Sequence, residues 1–578
     1  MNNVHHEWDL DQLLKICRKI DGNGYGAARN LIGLYTYDDG YQIAIGNVPR
    51  DPFDPVSGYI RLIIPHNILQ YNVQYIVGDD YRKMAAEHFF TEMAYRTLRY
   101  EGRPWLNMDR PGQAVLERTS IIVTASHLEL LLHFIPPYKG KRKISGGRLR
   151  RLFSNTIPRL VDNLKATNKK KEMLRNLGDT VTDQEYLRNK LREEGYIAFI
   201  ADGSVLPRRG ETDQPLSGAI PFKAPARYAT VFDLPFRGKI SGLAIRAGEI
   251  TVFAGANFHG KTTILEALSV AHYNHIPGDG REFVISVKEL PLISVENRRI
   301  VRGVDISFFM QKLPENVDVS NFTTNAASGS TSQAATLLEA LEFGVPGMLI
   351  DEDSSAVNLL LKDPLLREIV PSDLEPITPL IDNVDLIRYN NVSIIFAIGA
   401  LGAFLRKADT IFLVSNFRVS DILMHEEKYI IKEEIKKSSA RPNNTGKVSK
   451  PSSLVIKQRV PEINTIPYGT LKELSRDEIV LMWRGRRVNI NLRGPIRRTL
   501  KEIAQVRALG LAVSYASKYA DGRRTLREIV NQVMHDINTH GLHILNPYED
   551  RYLNLAKPTA YQLFYALSRL PTLKIKNL

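Results

Sequence analysis

The stretch Gly255-Ala256-Asn257-Phe258-His259-Gly260-Lys261-Thr262 lies directly between two apolar segments. Residues 250–254 read Ile-Thr-Val-Phe-Ala and predict a buried strand, whereas residues 264–268 read Ile-Leu-Glu-Ala-Leu and predict a helix. A glycine-rich turn between them lets successive N–H groups point at phosphate oxygens, next to the positive end of the helix. In such a loop the lysine reaches the β- and γ-phosphates and the next hydroxyl holds Mg²⁺. The stretch, with Thr263, therefore predicts a phosphate-binding loop; a plain glycine turn is the alternative.

A second motif, at residues 346–353, reads Pro-Gly-Met-Leu-Ile-Asp-Glu-Asp. It predicts an apolar strand that ends in consecutive carboxylates. The first acid, Asp351, is placed to hold Mg²⁺, and the adjacent Glu352 is placed to orient and polarise an attacking water. Acids after a buried strand also cap the following helix, but the pairing with the upstream loop favours the catalytic interpretation.

A third motif lies between the first two and begins Ser328-Gly329-Ser330. These small residues open a predicted helix, so N–H groups and hydroxyls are exposed at its positive end. Such a helix start can bind phosphate. Locally, an ordinary serine-capped helix is the simpler interpretation.

The charge of the chain points to an anionic partner. Its 578 residues include 77 lysines and arginines against 63 acids, which gives a formal net charge of +14. Nucleic acid is the first candidate for such a partner, and a basic surface that serves only solubility is the alternative. Residues 139–151 read Lys-Gly-Lys-Arg-Lys-Ile-Ser-Gly-Gly-Arg-Leu-Arg-Arg, without an acid. This basic segment predicts a phosphate-gripping hairpin or loop, or else a solvated charged face.

Strand and helix patterns predict an α/β protein with several domains. Residues 1–196 mix strands at 61–65, 119–124 and 128–134 with a helix at 81–100, and predict a basic α/β N-terminal domain. Residues 197–431 alternate strands and helices, which predicts a nucleotide-binding domain with a parallel sheet. Residues 432–453 are polar and aperiodic, and predict a flexible linker. Residues 454–578 predict a smaller, mainly helical C-terminal domain, with helices at 506–519 and 525–540.

Cysteine content and targeting signals limit the compartment. Cys17 is the only cysteine, which excludes an intrachain disulfide. The first residues resemble neither a signal peptide nor an arginine-rich transit peptide. The longest apolar stretch, 392–405, is too short to span a bilayer. We therefore expect a soluble cytoplasmic protein without a membrane partner, or a mitochondrial matrix protein if a presequence is missing from this chain.

The order of the three motifs resembles that of the ATP-binding-cassette (ABC) ATPases. More narrowly, the chain resembles the predicted ABC-class ATPases that have no transmembrane partner, a family with a trypanosome mitochondrial member associated with RNA editing. The resembling segments are Asp21–Gly26, Asp109–Ser120, Asn274–Glu282, Ala327–Gln333, Asp351–Ser355 and Asp521–Leu526. Residues 197–431 are then expected to be an ABC-type P-loop ATPase domain, flanked by the basic N-terminal and the helical C-terminal domains.

The resemblance also implies a homodimer with ATP held between two copies. Ser328, Gly329 and Ser330 of one copy would contact the γ-phosphate bound to the other copy's phosphate loop. Asp351 and Thr262 would hold Mg²⁺, and Glu352 would act as the base. The segment Ser355–Asn358 would lie at the dimer seam.

The chain departs from the ordinary ABC pattern at two points. Phe258 stands where many ABC loops have glycine, so we expect the loop to be shaped differently there, and the adjacent His259 resembles this family's own variant. The strand at 393–399 ends without the histidine that ordinary ABC enzymes place near the γ-phosphate. Two consequences stay open: slow hydrolysis, or a different group that senses the γ-phosphate. The aromatic residue that stacks on adenine also stays open between Phe222, Tyr228 and Phe236.

Two functions fit these observations. The first is an ATPase that couples dimer closure to binding of RNA or another nucleic acid through the basic segment. The second is an ATP-gated assembly protein that turns over slowly and uses its basic surface for a protein partner. The basic segment discriminates between them, because phosphate contacts make RNA binding depend on salt.

Overall fold

The computed structural model describes residues 7–49, 51, 58–140, 142–370, 374–422, 454–547 and 553–576. The predicted linker at 432–453 lies outside the described residues. The chain divides into two compact units. The first comprises Met1–Thr182, Glu502–Ala508 and Asp536–Lys557, and the second comprises Asp183–Lys501, Leu509–His535 and Pro558–Leu578. The four segments inferred from sequence, 1–196, 197–431, 432–453 and 454–578, stay predictions.

A largely antiparallel sheet forms the centre of the first unit. The strands of this part of the chain, within the described residues, are β1 (Glu7–Asp9), β2 (Gly33–Thr36), β3 (Gln42–Asn47), β4 (Gly58–Pro65), β5 (Leu106–Asn107), β6 (Ala114–Val115), β7 (Ile121–Val123), β8 (His127–Phe134), β9 (Tyr138–Lys139) and β10 (Lys143–Ile144). The sheet order is β1-β2-β3-β4-β8-β5, and β7 also pairs with β8. The strands predicted at 61–65, 119–124 and 128–134 correspond to β4, β7 and β8 and are confirmed.

Seven α-helices lie in this part of the chain, within the described residues. They are α1 (Leu10–Lys19), α2 (His66–Leu69), α3 (Val73–Val77), α4 (Asp80–Glu101), α5 (Gly146–Arg151), α6 (Ile157–Leu164) and α7 (Asn168–Glu193). The helix predicted at 81–100 is confirmed by α4. Its N-terminal cap is Asp79, whose carboxylate accepts a hydrogen bond from the Arg82 amide at 2.7 Å.

The second unit contains a six-stranded, mostly parallel sheet of order β17-β20-β21-β14-β22-β23 and an antiparallel sheet of order β12-β13-β11-β16. The strands are β11 (Tyr196–Ala201), β12 (Ala229–Leu234), β13 (Gly238–Arg246), β14 (Ile250–Ala254), β15 (Asn274–His275), β16 (Val284–Ser286), β17 (Leu292–Ile293), β18 (Val301–Val304), β19 (Phe322–Thr324), β20 (Gly347–Asp351), β21 (Ser393–Ile398), β22 (Thr410–Ser415), β23 (Arg418–Asp421), β24 (Thr470–Leu474), β25 (Glu478–Trp483) and β26 (Arg486–Asn491). The predicted parallel sheet is thus confirmed.

The remaining helices are α8 (Lys261–Ser269), α9 (Gly329–Phe343), α10 (Val357–Leu360), α11 (Pro364–Ile369), α12 (Leu380–Tyr389), α13 (Ile496–Thr499), α14 (Ile503–Ala516), α15 (Leu526–His540) and α16 (Ala560–Ser568). The helices predicted at 506–519 and 525–540 correspond to α14 and α15. In addition to the predicted helices, β24, β25 and β26 form an antiparallel meander. Within the described residues, no helix is both long and apolar enough to cross a membrane.

The parallel sheet places the functional motifs together. Strands β20 and β21 are buried at every position, as their continuous apolar sequences require in a sheet covered on both faces. Because β21 lies between β14 and β20, the segments that follow these three strands meet at one edge of the sheet. The phosphate loop follows β14, Asp351 is the last residue of β20, and Gly399 follows β21.

A buried charge cluster fixes helix α9 to the rest of the second unit. Arg459 donates to Glu342 at 2.7 Å, and Arg569 donates to both Glu296 and Glu339, at 2.7 and 3.0 Å. The side chains are almost inaccessible to solvent, so removing one partner would leave an uncompensated buried charge. The C-terminal part of α9 is therefore strongly anchored.

Candidate ATP site

The phosphate loop has the backbone that its glycines predict. Gly255 has φ +156°, and a Cβ there would collide with the carbonyl of Val414. Phe258 adopts the left-handed conformation, φ 65°, and its side chain is 96% exposed. A left-handed φ favours glycine, so the loop combines a glycine-like backbone at Phe258 with an outward-pointing ring.

Helix α8 begins directly after the loop, and no side chain of the described residues caps its first turn. The amides of this turn, which includes Thr262 and Thr263, are therefore unsatisfied by a capping side chain and suit an anion. Lys261 is buried, and its ammonium donates to the carbonyl oxygen of Ala256 at 2.8 Å. The lysine thus lies folded back over the loop.

His259 anchors the loop to the turn between β22 and β23. Its Nδ1 accepts a hydrogen bond from the Asn416 amide at 2.7 Å, and its carbonyl accepts one from the Phe417 amide at 3.2 Å. This contact gives His259 a structural role, because it ties the phosphate loop to the end of β22, a strand that borders β14.

Thr262 and Asp351 meet as the sequence predicts. The Thr262 hydroxyl donates to Asp351 Oδ2 at 2.6 Å. Burial raises the pKa of the Asp351 carboxyl above its usual range, while the Thr262 hydroxyl acts in the opposite direction. A hydroxyl and a carboxylate at the end of a buried strand are the hard oxygen ligands that Mg²⁺ prefers, so these residues fit that cation.

Glu352 is held by the backbone that follows β21. Its Oε2 accepts hydrogen bonds from the amides of Gly399, Ala400 and Leu401 at 2.8, 3.0 and 3.2 Å. Its Oε1 accepts one bond, from the Ala400 amide at 3.2 Å. Oε2 is therefore fixed, whereas Oε1 keeps accepting capacity for a further donor.

The amides that hold Glu352 also lie against the phosphate loop. A Cβ at Gly399 would lie 2.7 Å from Asn257 Oδ1 and 3.6 Å from Lys261 Nζ. The backbone at Gly399 thus lies close to the side chains of two phosphate-loop residues. Sequence patterns do not identify these amides, because backbone donors leave no side-chain signature.

Ser328, Gly329 and Ser330 form the first turn of α9. The Ser328 hydroxyl contacts the Thr331 hydroxyl at 2.9 Å, and the Gly329 carbonyl accepts from the Ser332 hydroxyl at 2.7 Å. These bonds stay within the turn, and among the described residues no side chain caps the helix. Neither of these hydrogen bonds joins the turn to the phosphate loop of the same chain.

The three candidate adenine-stacking residues differ in solvent exposure and packing. Phe222 is 5% exposed and belongs to the hydrophobic core of the second unit, so its faces are not free for a base. Tyr228 packs edge-on against Phe412, with ring centroids 5.0 Å apart. Phe236 is 50% exposed. Tyr228 and Phe236 thus stay as candidates for the residue that stacks on adenine.

The basic segment forms the β9–β10 hairpin followed by α5. The Asp21 carboxylate accepts from the Gly146 amide at 2.8 Å and from Lys139 at 3.3 Å, so the glycine-rich segment that starts at Asp21 supports the hairpin and helix. Arg148 lies over the Trp105 ring, 5.8 Å from its centroid. The described cations are exposed, namely Lys139, Arg142, Lys143, Arg148, Arg150 and Arg151.

Family models match most of the chain. Residues 170–451 match the P-loop domain of the ABC ATPases, and residues 10–167 match the N-terminal domain described as ATPase of the ABC class. The chain belongs to the ABC-class ATPases. Residues 498–576 also match the MRB1590 C-terminal domain. The predicted fold class, an ABC-type P-loop domain between an α/β N-terminal and a C-terminal domain, is confirmed.

An archaeal relative shares part of this ABC-class sequence. The chain is 34% identical over 244 residues to uncharacterized protein MJ1628 of Methanocaldococcus jannaschii, a match that covers 39% of the chain and 53% of the relative. The chain thus matches about half the length of that relative.

Two solved ABC structures are more distant. Clostridium perfringens cbiO1, part of the ABC transporter complex cbiONQ, is 16% identical, and the match covers 43% of this chain and 96% of that one, with a TM-score of 0.25. An ATP-binding subunit of an ABC transporter is 14% identical, and the match covers 42% and 100% of the two chains, with a TM-score of 0.24. The assignment to the ABC class does not depend on them.

Proposed function

We propose that the chain binds MgATP and hydrolyses it at the interface of a homodimer, and that dimer closure is coupled to binding of RNA or another nucleic acid. The observation that carries the proposal is a site with two separate halves. Lys261, Thr262, Asp351 and Glu352 gather at one edge of the sheet. The Ser328–Ser330 turn forms a helix start that no side chain of the described residues caps, and the hydrogen bonds of its Ser328 and Gly329 groups stay within the turn. A second copy would supply the missing half.

The residues of the first half have complementary roles in this proposal. The loop amides and Lys261 would bind the phosphates, and Thr262 and Asp351 would hold Mg²⁺, which neutralises charge that develops during phosphoryl transfer. Glu352 would accept the proton of the attacking water at Oε1, because Oε2 is occupied by three amides. The backbone of Gly399–Leu401 would thus orient the base where the chain has no histidine.

A slowly cycling, ATP-gated assembly protein is the second candidate. The lack of a histidine after β21 favours it, because no side chain at that position then contacts the γ-phosphate. Phosphate release and sedimentation of the purified chain, each measured with and without MgATP, distinguish the two. Repeated turnover together with ATP-dependent dimerisation supports the ATPase, whereas ATP-dependent dimerisation without turnover supports the assembly protein. A chain that stays monomeric with MgATP contradicts both.

RNA binding through the basic segment is a separate part of the proposal. Exposed cations on a hairpin and a short helix, next to the Trp105 ring, suit a phosphate backbone with unstacked bases. Replacing Lys143, Arg150 and Arg151 with alanine should weaken binding of single-stranded RNA. The slope of log Kd against log salt should fall by about 0.7 for each phosphate that the variant no longer neutralises.

Fluorescence anisotropy of a labelled oligonucleotide at several salt concentrations measures both quantities. The matched control replaces Lys472, Arg486 and Arg523, three exposed cations elsewhere, so that the change in net charge is the same. RNA affinity that falls equally in both triple variants would show a nonspecific charge effect. Unchanged affinity in the basic-segment variant would eliminate RNA binding through that segment.

A further inference from the structure

Gln333 connects the first turn of α9 to the segment that carries the acidic residues. Its side chain lies in the second turn of the helix, and the residue is only 1% exposed. The Gln333 amide nitrogen donates to the Ser355 hydroxyl at 2.8 Å, and its oxygen accepts from the Ala356 backbone amide at 2.7 Å. The nitrogen and the oxygen of the Gln333 side chain thus both bind the short segment Ser355–Ala356.

The connection continues to Asp351. The Ser355 hydroxyl donates to the Asp351 carbonyl oxygen at 2.7 Å, so its lone pair is free to accept from Gln333. The orientation of the Gln333 amide is fixed, because the Ala356 N–H requires an oxygen. One continuous set of hydrogen bonds therefore runs from α9 to the residue whose side chain contacts Thr262.

We propose that Gln333 is a positioning residue that couples the two ATP sites of the dimer. This inference rests on the proposed function, in which the Ser328–Ser330 turn contacts ATP bound to the partner. A shift of that turn would move Gln333, and through Ser355 it would move Asp351 and Glu352 of the same copy. ATP bound at one site would then adjust the Mg²⁺ ligand and the base of the other.

Hydrogen bonds hold α9 near both of its ends. Its C-terminal part is held by Glu339 and Glu342 in the buried charge cluster. Its first turn is held at Ser332, whose carbonyl accepts from Arg299 at 3.3 Å and whose hydroxyl accepts from the Glu296 amide at 3.1 Å. The helix is therefore held along its length, so a shift at its start would carry Gln333 with it. Apart from Gln333, the Val295 amide donates to the Ser354 carbonyl at 2.9 Å and holds the acidic segment from a second side. Removing the Gln333 bonds should therefore weaken coupling without releasing the segment.

The test compares Gln333→Met with Gln184→Met in the full-length chain. Gln184 is a matched control, because it is 0% exposed and also uses both ends of its amide. Its nitrogen donates to the His275 carbonyl at 2.8 Å, and its oxygen accepts from the His275 amide at 2.9 Å. Each variant loses two buried side-chain hydrogen bonds, so both should lower the Tm by similar amounts. Only Gln333→Met should affect cooperativity.

The readout is the ATP dependence of the steady-state rate. The wild-type chain and Gln184→Met should have a Hill coefficient clearly above 1, and Gln333→Met should lower it to about 1, with a roughly ten-fold lower kcat. Ser355→Ala should have a similar effect, and the double variant should add little to either single change. Equal Hill coefficients in Gln333→Met and wild type would overturn the inference. A wild-type coefficient of 1 would also overturn it but leave the ATPase proposal standing, whereas absence of turnover and of dimers would defeat both.

Discussion

Glu352→Gln is expected to abolish ATP turnover while ATP binding is retained. The glutamine oxygen can still accept from the amides of Gly399, Ala400 and Leu401, so the side chain should keep its place. It cannot accept the proton of the attacking water, and loss of a general base typically lowers the rate by about 10²- to 10⁴-fold. ATP that binds but is not hydrolysed should also trap the dimer.

Single-turnover phosphate release and light scattering with MgATP measure the two effects. Asp353→Asn is the matched control, because it removes the adjacent, exposed carboxylate and leaves Asp351 and Glu352 intact. The control should turn over at nearly the wild-type rate. Wild-type turnover in Glu352→Gln would remove this residue from the chemistry and defeat the site proposed here.

Lys261→Ala is expected to lose most of the affinity for ATP. The Lys261 ammonium lies over the phosphate loop, bonded to the Ala256 carbonyl, and would exchange this neutral partner for phosphate oxygens. Losing charge-assisted hydrogen bonds worth about 2–4 kcal/mol would raise the Kd roughly 30- to 700-fold. Because the lysine faces the terminal phosphates, the loss should be larger for ATP than for AMP.

Calorimetric titration with each nucleotide checks this expectation. Lys239→Ala removes an exposed lysine of the same unit and should bind ATP as the wild type does. A circular dichroism melt verifies that Lys261→Ala, which also loses its bond to Ala256, remains folded. A folded variant with unchanged ATP affinity would show that the 255–262 loop does not bind the nucleotide.

The contacts of Glu352 bear on the histidine that is absent after β21. From sequence, the lack of this residue left slow hydrolysis or a different sensor as open alternatives. The structure shows three consecutive backbone amides at this place, which hold the carboxylate and lie beside Asn257 and Lys261. Because each of these N–H groups already donates to Glu352, the amides orient the base and do not replace the histidine as a contact to the γ-phosphate. Both alternatives therefore stay open.

The candidate adenine-stacking residues also cannot be ranked from sequence patterns. Phe222, Tyr228 and Phe236 have equivalent side chains for stacking, and their spacing before the loop does not rank them. Burial does, because Phe222 is enclosed by the core while Phe236 is half exposed. The sequence of the basic segment likewise predicts a loop or hairpin. The structure also contains helix α5, and the amide of its first residue, Gly146, donates to the Asp21 carboxylate.

The local features of this protein can be predicted from its amino-acid sequence. The strand and helix on either side of residues 255–262, the acids at the end of β20 and the helix start at Ser328 follow from apolar periodicity, glycine placement and charge, which act between neighbouring residues. Which of these features lie in contact depends on how the strands and helices pack in three dimensions. The order β20-β21-β14 brings Asp351 to Thr262 and Glu352 to the amides after β21, and packing of α9 brings Gln333 to Ser355. Such contacts join residues far apart in the chain through backbone groups that every sequence has, so no local pattern could specify them.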